Sequence, residues 1–234
     1  MKLAIICAMD EELAAIWATI PMKRTNELEK AGNMYWQYSL GLHELITVVS
    51  GIGKVNAAVT TQILLDNFVV DGVINVGVAG SISPDLTFGD VVVASDLVEH
   101  DFDVTAFGDK LGQIPRMDTF SFATDENLNQ LLTKNLQLPA GKLVTGRIVS
   151  GDQFIDDATK AAFLAQEFAA VACEMEGAAI AHTCYLNKVP VAVIRSLSDM
   201  AGQQGSSGAH SFNDLKFMAA ERAAVVVKNL IGNL

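Results

Sequence analysis

Glu12, Glu176, Arg195 and Asp199 each stand in or just beyond the last residues of a short apolar run, the place where reactive side chains of sheet-based proteins collect. Glu12 closes the string Met9-Asp10-Glu11-Glu12, and Glu176 closes Cys173-Glu174-Met175-Glu176. Arg195 and Asp199 bracket Arg195-Ser196-Leu197-Ser198-Asp199. Each group has a plainer reading when taken alone: Asp10 can cap a helix while Glu11 and Glu12 complement its dipole, and the others can be solvated turns. Brought together, two or three carboxylates and a cation beside glycine-lined turns suit hydrolysis or proton transfer on a small polar ligand.

Convergence requires a sheet, and the periodicity supplies one. Residues 3–9, 45–50, 72–77, 90–95, 143–150, 170–173 and 190–197 read as strands, most of them apolar on both faces. Between them 11–19, 54–67, 125–135, 157–168, 176–186 and 212–230 have helical composition, several opening on an Asp or Ser suited to capping. This alternation predicts a three-layer α/β/α sandwich around a mostly buried, twisted sheet, folded as one domain over 1–234. Two stretches read as irregular: 101–119, with Gly108, Gly112 and Pro115, and the Gly/Ser-rich string MAGQQGSSGAHS at 200–211.

Other chemistries find little support. Ser50-Gly51-Ile52-Gly53-Lys54 lacks the spacing and the following Ser or Thr of a triphosphate cradle, and Asn75-Val76-Gly77-Val78-Ala79-Gly80-Ser81 lacks a full dinucleotide fingerprint. His100-Asp101-Phe102-Asp103 has no further ligands at recognisable spacing, so neither metal nor cofactor is expected. A net charge of −11 disfavours nucleic acid. The first apolar run is too short for a signal segment or a span, and Cys7, Cys173 and Cys184 lack pairing patterns. Buried free thiols in a cytoplasmic protein, away from membranes, are expected.

Seven segments in order carry a family resemblance: AMDEE at 8–12, SGIGKVNAA at 50–58, NVGVAG at 75–80, HDFDVTAFG at 100–108, SGDQFI at 150–155, EMEGAAIAH at 174–182 and SLSDMA at 196–201. They resemble the 5′-methylthioadenosine/S-adenosylhomocysteine nucleosidases of the purine nucleoside phosphorylase-like superfamily. The resemblance implies that superfamily's fold, with a mixed central sheet, and cleavage of adenine from 5′-thio-substituted adenosines and 5′-deoxyadenosine by water. Such an enzyme serves methionine salvage and S-adenosylmethionine recycling.

By resemblance, Asp199 is the general acid at N7 of adenine, kept protonated by burial beside Ser198. Glu12 is the ionised base for water, Glu176 the ribose anchor, and Arg195 helps to fix the water and Glu12. Phe154 stacks on adenine and the Ile155 backbone reads its amino edge. Val78, Ala79 and Gly80 lie near base and ribose, Met175 packs on the sugar, and Met9, Ile52 and Phe212 form the 5′ slot. Val104, Phe107 and Pro115 correspond to residues that cross over, in dimeric members, to complete the neighbour's pocket, which implies a homodimer.

Two alternatives compete with hydrolysis: phosphorolysis, and non-catalytic nucleoside binding. Phosphorylases of the similar bacterial class place an Arg and a Ser where this chain has Asn75 and Val78, because a phosphate dianion needs a cation and hydroxyl donors. Val78 also stands where many nucleosidases have Ser. Four chemistry-bearing groups retained together speak against a simple binder.

Overall fold

The computed structural model describes residues 1–20, 23–201 and 206–234, with the backbone alone from 206 to 215. The strands among these residues are β1 (Lys2–Cys7), β2 (Lys23–Lys30), β3 (Asn33–Leu40), β4 (His43–Val49), β5 (Gly72–Ser81), β6 (Val91–Glu99), β7 (Phe122–Ala123), β8 (Leu143–Ser150), β9 (Ala170–Glu174) and β10 (Val191–Met200). The helices are α1 (Asp10–Thr19), α2 (Lys54–Asn67), α3 (Glu126–Thr133), α4 (Ala158–Phe168), α5 (Gly177–Asn187) and α6 (Ser206–Gly232).

The layers follow from strand alternation. In β1, Ala4 and Ile6 pack into one apolar cluster with Ala57 and Leu64 of α2 and Ile180 and Cys184 of α5. Leu3 and Ile5 point the other way, into a cluster with Leu13 and Ile16 of α1, Leu132 of α3 and Val226, Val227 and Leu230 of α6. Successive side chains of a strand face opposite sides, so an all-apolar run demands helices on both. The expected sandwich and mixed sheet are therefore present.

The sheet is not open, however. β5 pairs in parallel with β1 through Gly72–Asn75, with β10 along most of its length, and antiparallel with β9 at Gly80 and Ser81. Because β10 also pairs with β6, and β6, β8 and β9 are adjacent, five strands close a ring. Closure depends on β5 continuing four residues past Gly77, where the glycine-rich sequence reads as a turn. β10 likewise runs to Met200, so Ser198 and Asp199 lie in the strand, at an irregularity between Leu197 and Asp199, and not after it.

Three further differences are local. β2 and β3, a hairpin on the sheet edge, are absent from the periodic reading because KRTNELEK is almost wholly exposed and carries no apolar alternation. Ser206–Ser211 belongs to α6 and not to a loop, while 202–205 lie outside the described residues. Asp125 and Asp157 cap α3 and α4 as expected, but Asp10 lies in the first turn of α1 without a capping bond. Glu12 reaches back instead to the strand-end N–H groups.

Candidate active site

That reach places Glu12. Its Oε2 accepts the N–H groups of Ala8 at 2.9 Å and Met9 at 3.0 Å, and Oε1 accepts that of Val78 on β5 at 3.0 Å. Gly77 makes room for it, since a Cβ there would lie 2.7 Å from Glu12 Oε1 and 3.2 Å from Arg195 Nη1. Burial pushes the carboxyl above its ordinary value, against the smaller opposing effects of the Arg195 charge and the three backbone donors. The group is fixed in place by these donors, and its shift is towards the range in which a general base works.

Asp199 is buried near the end of β10, and Ser198 Oγ donates to its Oδ1 at 2.7 Å. Burial raises its carboxyl, and the serine bond, which favours the ionised form, opposes part of that rise.

Between these two groups lies a charge centre that the sequence reading did not single out. Glu174, at the end of β9, accepts the Nε of Arg195 at 3.1 Å and also its Nη2, together with Ser150 Oγ. It accepts in addition the N–H groups of Glu176 at 3.1 Å and Gly177 at 2.8 Å. Arg195 Nη2 donates to Asn75 Oδ1 at 2.5 Å, and Asn75 Nδ2 to the Ile6 carbonyl at 2.9 Å. Arg195 is fully buried: burial works against its charge, but Glu174, Glu176 and Glu12 outweigh it. Removing either member of such a buried pair costs about 3–5 kcal/mol. The signal was present in VAVIRSLS, where an arginine inside an apolar strand requires a buried carboxylate. Its ion pair is with Glu174, and it acts on Glu12 through its charge.

Glu176 Oε1 accepts the Gly53 N–H at 2.8 Å. Its carboxyl is pushed up to about 8, first by burial and then by the charge of Glu174. A folded value above the ordinary one means that this group favours folding at low pH and that its contribution is lost as pH rises from the ordinary carboxylate range through about 8. Glu176→Gln should therefore melt higher than the wild type at pH 8.5, by roughly 2–4 °C per kcal/mol relieved, with the gap closing near pH 4.5. Thermal melts at the two pH values check this; an equal gap at both would show that ionisation is not its cause.

The three carboxylates expected to converge do so, with Glu174, around one cleft. Met9 and Ile52 line it, as do Val78, Ala79 and Gly80. Phe154, Ile155, Met175 and Ser198 line the remaining wall. Ala8, Gln153, Cys173 and Ala201, which the sequence reading did not select, are also there. Arg195 and Asn75 stand behind the wall, and no Lys or Arg among the described residues lines the cleft. The Phe212 side chain lies outside the described residues. Val104, Phe107 and Pro115 do not line the cleft of their own chain: Val104 immediately precedes and Phe107 closes a single 3₁₀ turn at Thr105–Phe107, Pro115 lies further along the same loop, and Phe107 is 87% exposed. Cys7, Cys173 and Cys184 are buried and unpaired.

Comparison with known proteins bears on what such a cleft acts upon. A family model of the phosphorylase superfamily matches residues 2–232. The chain is 40% identical over 236 residues, the whole of both proteins, to the 5′-methylthioadenosine/S-adenosylhomocysteine nucleosidase of Psychromonas ingrahamii. It is also 40% identical over 207 residues to the aminodeoxyfutalosine nucleosidase of Campylobacter jejuni, covering 87% of this chain and 88% of that one. Among solved structures, it resembles an aspartate-to-asparagine variant of the Helicobacter pylori 5′-methylthioadenosine/S-adenosylhomocysteine nucleosidase with 5′-methylthioadenosine in its active site. The TM-score is 0.93 at 35% identity, over 100% of this chain and 99% of that one.

Proposed function

This chain belongs to the 5′-methylthioadenosine/S-adenosylhomocysteine nucleosidases of the phosphorylase superfamily, and from that membership we propose that it hydrolyses the N-glycosidic bond of both nucleosides and of 5′-deoxyadenosine. The products are adenine and the corresponding ribose or thioribose, as methionine salvage and S-adenosylmethionine recycling require. The observation that carries the choice of water as nucleophile is a cleft walled by Glu12, Glu174, Glu176 and Asp199 with no described cation. A phosphate dianion entering it would find carboxyl groups and no described cation to pair with.

The chemistry divides between the two ends of the scissile bond. As the bond to adenine lengthens, the base gains negative charge and the ribose becomes cationic. Asp199, whose carboxyl burial raises, gives its proton to N7. Glu12, fixed by three backbone donors, orients water at the anomeric carbon and takes its proton. Glu176 accepts the ribose hydroxyls, whose donation brings its carboxyl back to the charged form as the sugar becomes cationic. Arg195 is a positioning residue that acts through Glu174 and through its field on Glu12. The Val78 backbone supplies a donor to Glu12 whatever its side chain, so the absence of a Ser hydroxyl leaves the base in place.

Phe154 and Ile155 hold the base, Met175 the sugar, and Met9 and Ile52 the 5′ substituent. Val104, Phe107 and Pro115 complete the neighbour's cleft in a homodimer, and three unpaired thiols suit the cytoplasm. A second reading, aminodeoxyfutalosine as the substrate, is favoured by the Campylobacter jejuni relative and by a cleft mouth at which Ile52 is 54% and Phe154 47% exposed. Adenine release should be measured from 5′-methylthioadenosine, S-adenosylhomocysteine and aminodeoxyfutalosine in parallel. Release from the two thio-nucleosides is expected; release from aminodeoxyfutalosine alone would select the second reading, and release from none would refute both.

A further inference from the structure

Outside the cleft, one cation ties together three separate stretches of chain. Lys54 opens α2, directly after the turn that carries Ile52 and Gly53. Its Nζ donates to Asp101 Oδ1 at 2.6 Å and to Glu99 Oε2 at 3.0 Å. Asp101 Oδ2 accepts the Asp152 N–H at 2.9 Å, and Asp152 Oδ1 in turn accepts the Lys54 N–H at 2.8 Å. These contacts close a ring through Lys54, Asp101 and Asp152. The outer oxygen of Glu99 faces His182 Nδ1 at 3.0 Å. Gly53, at φ +98°, leaves the space beside Asp152 Oδ1 that a side chain would crowd at 3.1 Å.

The ring touches both walls of the cleft. On one side the neighbouring Gly53 N–H donates to Glu176, and Ile52 lines the cavity. On the other, Asp152 precedes Gln153, Phe154 and Ile155, which line it too. The Lys54 side chain is 16% exposed, and although burial works against its charge, Asp101 and Glu99 hold it more firmly protonated than usual. Without that charge, Glu99 and Asp101 would stand close together with no ammonium between them, and the turn and the 150–155 stretch would lose their common anchor.

Building on the nucleosidase reading, we infer that Lys54 is a positioning residue that sets the spacing between the ribose-anchoring turn at Gly53 and the adenine-holding stretch Gln153–Ile155. Its contacts are with Glu99, Asp101 and Asp152 and not with the acid or the base, which makes the effect one on binding. Lys54→Met should raise KM for 5′-methylthioadenosine about tenfold while kcat stays within about threefold, and Lys54→Arg, which keeps the charge, should recover most of the loss. Asp101→Asn, which leaves the Lys54–Glu99 pair intact, should raise KM in the same direction and serves where the methionine variant does not fold.

Amide hydrogen exchange of the intact protein reads the ring without turnover. Exchange at 51–54 and 151–155 should quicken in Lys54→Met and in Asp101→Asn. KM within twofold of the wild type in both variants, unchanged exchange in both stretches, or a fall in kcat at constant KM would overturn the role given to Lys54. A wild type that releases no adenine would instead remove the nucleosidase reading, leaving the exchange result to decide the ring.

Discussion

Asp199→Asn is expected to lower the rate of adenine release from 5′-methylthioadenosine about 10²- to 10⁴-fold while the nucleoside still binds. Asparagine fills the same space and can still receive the Ser198 hydroxyl, which lies 2.7 Å from Asp199 Oδ1. What it lacks is a transferable proton, and leaving adenine without one places a full negative charge on the departing base. The pH dependence follows from the same group. Burial raises the Asp199 carboxyl, so the protonated, active form persists above the ordinary aspartate range and is lost as pH rises through the shifted value. Glu12 gives the opposite limb, since it must be ionised to act and its own rise moves the loss of activity on acidification upward. Steady-state rates across pH for wild type and variant check both parts. A variant within tenfold of the wild type, or one that keeps the alkaline limb unchanged, would remove Asp199 from the acid role.

Glu12→Gln should cost a comparable factor, about 10²- to 10⁴-fold in kcat, with little change in KM. The geometry gives two reasons. Three backbone N–H groups converge on the carboxylate, and a glutamine can satisfy them with one oxygen only, turning its amide hydrogens towards the remaining donors. It also cannot take a proton from water. Calorimetric titration with 5′-methylthioadenosine separates these effects from lost binding: near-wild-type affinity with abolished release is expected, whereas lost affinity with retained kcat would make Glu12 a binding residue.

The sequence disclosed what local physics determines. α2 over Lys54–Asn67 and β8 over Leu143–Ser150 have the expected bounds, because a helical run opening after Gly53 and a stretch rich in β-branched residues leave little competing structure. The cleft carboxylates were legible for a related reason: a charge at the end of an apolar strand has few places to go. Pairing was not legible. Nothing in GVAGS distinguishes a turn from a strand that closes a ring, since its partners β10 and β9 lie far along the chain. β2 is held by its pairing with β3 and not by a buried face of its own. Glu174 was passed over because its importance depends on Arg195 reaching across from β10, a contact that spacing along the chain does not express. The Lys54 ring has the same character, built from three residues each of which reads alone as a solvated charge.

The use of water at a cleft of four carboxylates is the claim on which the rest depends, and its most direct test is the stoichiometry of adenine and free 5-methylthioribose released from 5′-methylthioadenosine with and without inorganic phosphate. Equal amounts of adenine and unphosphorylated sugar, at a rate that phosphate does not raise, are the predicted result. Turnover that requires phosphate and yields the sugar 1-phosphate would contradict it.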